Sequence, residues 1–331
     1  MRTAACYGVT GRPSPSCDME NLIYSVNVTL PVFAILAIGY LLRQAKVING
    51  AYVSGSNRLT FRLLLPVMLF NNMRNSDFLS YFDVGFLCYC AAFLMIYVTG
   101  LWLISSRFIL NKKKLGSFVQ GAFRGNTAVI GLAVSQSIYG SQQGPMPLML
   151  GVAMVSYNVL STVILTCCGE SGSRKPLLRI CREILRNPIV WGIALGLVCA
   201  LTRVRFPTVL EKTFSSLGGA AVVVSLIAAG GGFEAASFRA DIGLIAAAVG
   251  TKLIIMPLLA LTGGYLLGYR GITLFSILAM AGVSTATTST VMARELRCDE
   301  PLAIHILAAT TLCVSITMTL WVTVLSAMGV L

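Results

Sequence analysis

Charge is what this sequence has least of. Only 11% of its 331 residues are Asp, Glu, Lys or Arg, where a soluble globular protein carries about a quarter. With 56% hydrophobic residues and a mean hydropathy of +0.82, the chain lacks the polar surface needed to face water on all sides. Acid is scarcer than base, at 12 Asp and Glu against 25 Lys and Arg, and no acidic residue falls near the middle of an apolar run. Glu234 and Asp241 sit at the ends of such runs. A proton or sodium relay built on membrane carboxylates therefore lacks its residues, although hydroxyls and backbone carbonyls could still bind sodium. Histidine is represented once, by His305, which leaves zinc chemistry and histidine-based nucleophilic catalysis almost nothing to work with. The ten cysteines contain no CxxC pair and no Cys/His cluster at metal spacing. Cys88, Cys90, Cys167, Cys168, Cys199 and Cys313 lie within apolar runs, where free cysteine behaves as a small hydrophobe. Nothing calls for a cofactor or a metal. The first 18 residues contain no apolar run, which argues against a secretory signal peptide. They read as a disordered tail, or as a leader to a true start at Met19.

What the sequence has is a succession of apolar stretches near 20 residues long, the length that spans a hydrocarbon core. Ten transmembrane helices are predicted, at about 22–42, 54–73, 84–108, 115–139, 146–168, 188–202, 214–233, 242–269, 272–293 and 301–328. Helices are required because lipid leaves unpaired backbone groups without partners, and the alternating ten-residue strands of a membrane barrel are absent. The net charge of +13 does not point to nucleic acid, because the basic residues fall mostly between the apolar stretches. One set of connections holds fourteen of them: Arg43, Lys46, Arg107, Lys112, Lys113, Lys114, Arg174, Lys175, Arg179, Arg182, Arg186, Arg239, Arg294 and Arg297. The other side holds seven: Arg2, Arg12, Arg74, Arg203, Arg205, Lys212 and Arg270. The positive-inside rule assigns the richer side to the cytoplasm, which puts both termini outside.

The two halves resemble each other at one offset. Pro31, Gly39 and Gly125 become Pro188, Gly196 and Gly282 when shifted by 157 residues. The same shift maps one block of five helices onto the next, and because five is odd the second block enters the membrane inverted. Inverted repeats of this kind belong to secondary transporters. The predicted organisation is a tail over 1–18, a first five-helix repeat over 19–169, a basic cytoplasmic loop over 170–187 and a second repeat over 188–331.

The fourth and ninth spans are interrupted at equivalent places. Arg124-Gly125-Asn126-Thr127 lies mid-span in the fourth. An arginine at that depth is costly and faces a cavity or a partner, unless it snorkels to the surface. Glycine weakens the helix there, and Asn and Thr can hydrogen-bond a freed backbone. In the ninth, Gly282 to Thr290 read GVSTATTST, a hydroxyl run that either lines a site or packs helices closely. Paired interrupted helices are the best sequence pointer to a transporter site. Arg124 and Lys252 are deep and Arg62 is moderately so, with snorkelling the plainer account of Arg62. Lys252 is either a buried structural cation or a contributor of charge to the site. Asn71, Asn72 and Asn158 are polar at membrane depth, Asn158 either lining the site or bonding a neighbouring helix. Positive charge without negative charge suits an anionic substrate, and half-helix N-termini at the breaks add favourable dipole.

Four stretches carry a resemblance to the auxin efflux carrier family, which includes bacterial malonate and malate carriers: LPVFAILAIGYLLRQAKVI, LTFRLLLPVMLFNNM, FRGNTAVIGLAVSQSIYG and AMAGVSTATTSTVMAREL. The match runs from about Met19 to the C-terminus, and the third stretch is the most specific. The resemblance implies an all-α integral membrane fold of two inverted five-helix repeats, with broken fourth and ninth helices that cross at the substrate site. It implies a secondary transporter of a small organic anion, a mono- or dicarboxylate such as malate, malonate or an auxin-like acid, working by alternating access with a mobile bundle. It gives Asn126 the role of binding the substrate carboxylate. The family usually has a proline in each broken helix, where this chain has Ala133 and no proline near Ser284. The breaks here therefore rest on Gly125, Gly131, Gly282 and the hydroxyl residues. The predicted site is Arg124, Gly125, Asn126, Thr127, Asn158, Ser284, Thr285 and Thr288. The expected partners are the organic anion and membrane lipid, with no nucleic acid, and the oligomeric state is open, a homodimer included. A channel or a non-transporting regulatory membrane protein would use similar helices. A membrane enzyme would need clustered acids, nucleophiles or metal ligands, and the sequence offers none.

Overall fold

A chain this apolar must satisfy its backbone within itself. The computed structural model describes residues 30–31, 34–75, 83–139, 145–169, 188–204, 206–233 and 235–330. Among these residues the chain forms helices and turns and no strand, with one isolated antiparallel bridge between Gly125 and Thr285. The expected tail and the expected basic loop lie outside the described residues, as does the beginning of the first expected span.

In chain order, α1 is Ala34–Gln44. α2 (Gly50–Leu59) runs through a π turn (Thr60–Leu64) into α3 (Leu65–Arg74). α4 is Val84–Phe108 and α5 is Lys112–Phe123; a π turn (Thr127–Gly131) then leads into α6 (Leu132–Tyr139). α7 is Met146–Cys168, α8 Pro188–Thr202, α9 Thr208–Gly231 and α10 the short Ala235–Ala240. α11 (Ile242–Gly250) passes through a π turn (Thr251–Ile255) into α12 (Met256–Leu266). α13 (Gly271–Ala281), α14 (Thr288–Glu295) and α15 (Glu300–Ala327) complete the chain. Among the described residues five helical stretches are long and apolar enough to cross a membrane: Val84–Phe108, Met149–Cys168, Thr208–Gly231, Ile242–Leu266 and Glu300–Ala327. The protein is thus a multi-pass membrane protein.

Local chemistry fixes the helix starts. Asn49 accepts from the Tyr52 amide at 2.9 Å, Asp83 from Phe86 at 3.1 Å, Asn111 from Lys113 at 3.0 Å and Asp299 from Leu302 at 2.9 Å. Each side-chain cap satisfies an amide with no intrahelical partner and contributes about 1 kcal/mol. Two of the π turns precede prolines, Pro66 and Pro257. Proline has no amide hydrogen and crowds the preceding turn, so the helix widens there instead of breaking. The Leu253 carbonyl, four residues before Pro257, accepts from Trp321 Nε1 at 2.9 Å.

The fourth and ninth expected spans are not continuous. α5 stops at Phe123 and α13 at Ala281, and the chain leaves helical geometry in both before α6 and α14 begin. The two gaps cross each other. Asn126 N donates to the Ser284 carbonyl at 2.8 Å, and Ala286 N to the Arg124 carbonyl at 3.2 Å. Gly125 is required at this approach, since a Cβ there would lie 2.9 Å from Val283 Cγ2 and 3.1 Å from the Met280 carbonyl.

Among the described residues two large apolar cores form, with a small third cluster of Leu36, Leu226, Leu307 and Ala308. The larger joins α4, α5, α7, α11–α13 and α15 through Phe86, Phe123, Leu253, Phe275 and Leu302. The smaller packs α3, α8 and α9 through Leu65, Met73, Ile193 and Ala221, and takes Val291 and Met292 from α14. Along α1, α3, α8 and α9 the backbones touch through glycine. A Cβ at Gly196 on α8 would lie 2.6 Å from the Phe70 carbonyl on α3, and one at Gly39 on α1 would collide with the carbonyl of Ile227 on α9. Small residues let membrane helices approach this closely.

Candidate functional site

Six elements converge on a small cavity of about 80 Å³ beside the crossing, below the range of about 300–1,000 Å³ usual for drug-sized ligand pockets. Arg124 to Thr127 form one wall, with Ala286, Thr287 and Thr288 from the other broken helix. Tyr157 and Asn158 face them from α7, while Met68, Leu69 and Asn72 on α3 and Val222 on α9 close the far side. Among the described residues no Asp or Glu lines the cavity.

Arg124 is only 4% exposed. Its Nη2 donates to Asn158 Oδ1 at 2.8 Å and its Nη1 contacts the Met292 sulfur, while Asn158 Nδ2 donates to the Met154 carbonyl at 2.7 Å. That last bond holds the Asn158 oxygen toward the guanidinium. No carboxylate pairs with Arg124 among the described residues. The Asn126 main chain is held by the crossing, and its side chain lines the cavity without a protein hydrogen bond among the described residues. The Thr288 hydroxyl is buried and unpartnered at the start of α14. Thr287, at the cap of α14, makes no side-chain capping bond. Two half-helix starts, at Thr127 and Thr288, therefore present amide ends to one space, and such ends attract negative charge.

Of the expected site residues, Arg124, Gly125, Asn126, Thr127, Asn158 and Thr288 line this cavity. Ser284 and Thr285 do not; they hold the crossing itself. The Ser284 carbonyl takes the Asn126 amide. Thr285 Oγ1 donates to the Gly121 carbonyl at 2.7 Å, in the last turn of α5, and its amide donates to Thr310 Oγ1 at 3.2 Å. The chain is extended at the crossing, so neighbouring residues face opposite ways, and a run of hydroxyls in sequence does not line one wall. Lys252 is fully buried and lies outside the lining, behind the crossing. Tyr157, Met68 and Thr287 were not expected. Tyr157 Oη donates to the Met280 carbonyl at 2.7 Å, tying α7 to the last turn of α13. Asn72 was the one legible signal on that side, as a polar residue at depth.

Away from the cavity, Arg294 pairs with Glu300 at 2.5 Å and also bonds Ser54, while Asn57 Nδ2 donates to Glu300 at 2.9 Å. This polar knot ties α2 to α14 and α15.

These features define a multi-pass membrane protein organised around two crossing broken helices and a cationic cavity. The chain belongs to the membrane transport protein family, that of the auxin efflux carriers, whose family model matches residues 24–322. A protein described as an uncharacterized transporter of Methanothermobacter thermautotrophicus is 24% identical over 310 residues, covering 91% of this chain and 98% of that protein.

Proposed function

We propose that the protein carries a small organic anion across the cytoplasmic membrane, binding its carboxylate where the two broken helices cross. The observation that carries this is a cavity furnished with Arg124, the Asn126 side-chain amide and two helix N-termini, and, among the described residues, with no acidic side chain. Asn126 would donate to the carboxylate, Thr288 would add its hydroxyl, and Arg124, oriented by Asn158, would supply the positive potential. Arginine keeps its charge when buried, so the potential persists across physiological pH. Ser284 and Thr285 serve by holding the crossing in register.

Ten helices in two inverted repeats are the architecture proposed. The glycine contacts support it: Gly39 against Ile227 and Gly196 against Phe70 are the same pair shifted by 157 residues, each joining one half of the chain to the other. Alternating access would then move a bundle of α4–α7 and α11–α15 against a scaffold of α1–α3, α8 and α9, with the cavity between them. The knot of Arg294, Glu300, Ser54 and Asn57 would close the cytoplasmic end in the state described.

The test is anion binding and proteoliposome uptake across a panel of mono- and dicarboxylates. Asn126→Ala removes a hydrogen bond to a charged group, worth roughly 1.5–3 kcal/mol, so affinity should fall about tenfold to hundredfold. Monodisperse Asn126→Ala protein with parental binding and uptake places the site elsewhere.

Orientation is tested separately. With the basic connections cytoplasmic and both termini outside, a cysteine at Lys113, in a background lacking Cys6 and Cys17, should react with impermeant maleimide only after cells are opened. Native Cys298 should stay silent in this assay, because burial pushes its thiol up to about 12, and it is the thiolate that reacts. Full labelling at position 113 in sealed cells inverts the topology.

A further inference from the structure

The crossing has a second pole, opposite the cavity. α5 and α13 end there, at Phe123 and Ala281, and their last carbonyls have no intrahelical partner. Each C-terminus carries roughly half a negative charge. Lys252, in the π turn between α11 and α12, places its ammonium between them. Nζ donates to the Phe123 carbonyl at 3.1 Å and the Ala281 carbonyl at 2.9 Å, with the Met256 sulfur at 3.3 Å. The side chain is fully buried, and no carboxylate pairs with it among the described residues.

An ammonium taken out of water loses several kcal/mol of solvation. Among the described residues, carbonyl dipoles and one thioether sulfur are what offset that loss. Half-helix C-termini and unwound carbonyls at a membrane break are also what binds a coupling sodium ion in transporters built on broken helices. A free metal ion and the Lys252 ammonium would compete for the same oxygens. We propose that Lys252 is a tethered cation that permanently fills the cation pole of the crossing, so that the protein holds this junction and binds its anion without a metal cation such as sodium. The π turn belongs to the device: the widened turn before Pro257 sits where the lysine leaves the helix, and Trp321 and Tyr97 hold the carbonyls of Leu253 and Thr251 on either side of it.

The anion half of this inference rests on the function proposed above; the stability half does not. The purified full chain is melted in sodium, potassium and choline chloride at equal ionic strength. The parent should melt at one temperature in all three. Lys252→Ala should melt lower and recover with propylammonium, which matches the severed stem and head, whereas Lys252→Met, which refills the space with an apolar chain, should not recover. Lys252→Arg should melt above Lys252→Met, and this comparison decides the matter if the alanine variant does not fold. Anion binding by the parent should be unchanged when choline replaces sodium. It should weaken roughly tenfold or more in Lys252→Ala, the loss of a charge-assisted arrangement at the crossing, and return with propylammonium. A parent stabilised by sodium over choline, or Lys252→Met melting with the parent and above Lys252→Arg, overturns the proposal. If no anion binds the parent, the function proposed above has failed, and the melting series still decides the role of Lys252.

Discussion

Arg124→Gln is expected to weaken anion binding by far more than it weakens binding of a neutral isostere, and to leave the empty protein more heat-stable. Both effects have one cause. Arg124 is buried against an amide oxygen and a thioether, with no acidic partner among the described residues. In the empty protein this charge is poorly compensated, and an uncompensated buried charge is destabilising. When a carboxylate enters, the pair forms in a region of low dielectric, where truncating one partner costs about 2–5 kcal/mol. Affinity should therefore fall on the order of thirtyfold to several thousandfold. Glutamine can still donate to Asn158, so the local packing survives. Calorimetric titration with an acid and its amide, beside melting curves without ligand, checks both arms. Equal losses for acid and amide, or a lower melting temperature without ligand, would show that Arg124 is structural.

Gly125→Val should produce the second large effect, through the backbone. The added Cβ meets Val283 and the Met280 carbonyl at 2.9 and 3.1 Å, and the latter neighbour cannot move without unwinding α13. Overpacking of this kind costs about 1–3 kcal/mol. The two strand-like bonds of the crossing, each worth about 1 kcal/mol, would be lost with it, for a total near 3–5 kcal/mol. Melting temperature should drop and anion binding should vanish together, because the amide ends at Thr127 and Thr288 would no longer face one space. Gly219→Val is the matched control: a Cβ at Gly219 has open space around it. A Gly125→Val protein as stable as this control would mean that the crossing tolerates separation.

Much of the architecture was legible because a membrane reduces folding to one dimension. The expected stretches at 84–108, 146–168 and 188–202 coincide with α4, α7 and α8, since an apolar run of the right length has one way to satisfy its backbone. The breaks were legible in composition, from glycine beside arginine in one span and dense hydroxyls in the other. The starts at Gly50 and Thr208 fell earlier than hydropathy suggested, because caps and prolines rather than apolarity decide where a helix begins. The site was only half legible. Residues on the broken segments could be named, but their facing could not: Thr288 reached the cavity while Thr285 turned to the Gly121 carbonyl. Lys252 was visible as a deep cation, yet its partners are main-chain oxygens, which any sequence would supply. Met68, Tyr157 and Val222 come from helices remote in the chain and carried no chemical signal of their own.

The indole of Trp321 offers a way to watch the protein without labelling it. Its nitrogen is bonded to the carbonyl of Leu253, the residue next to Lys252, and indole emission shifts when that bond breaks or water approaches. The chain has only two other tryptophans, and one of them, Trp191, is 56% exposed on the apolar helix α8. A quencher dissolved in the acyl chains should dim Trp191 preferentially. In a Trp102→Phe chain the emission that survives then reports on the junction behind the crossing, in a bilayer.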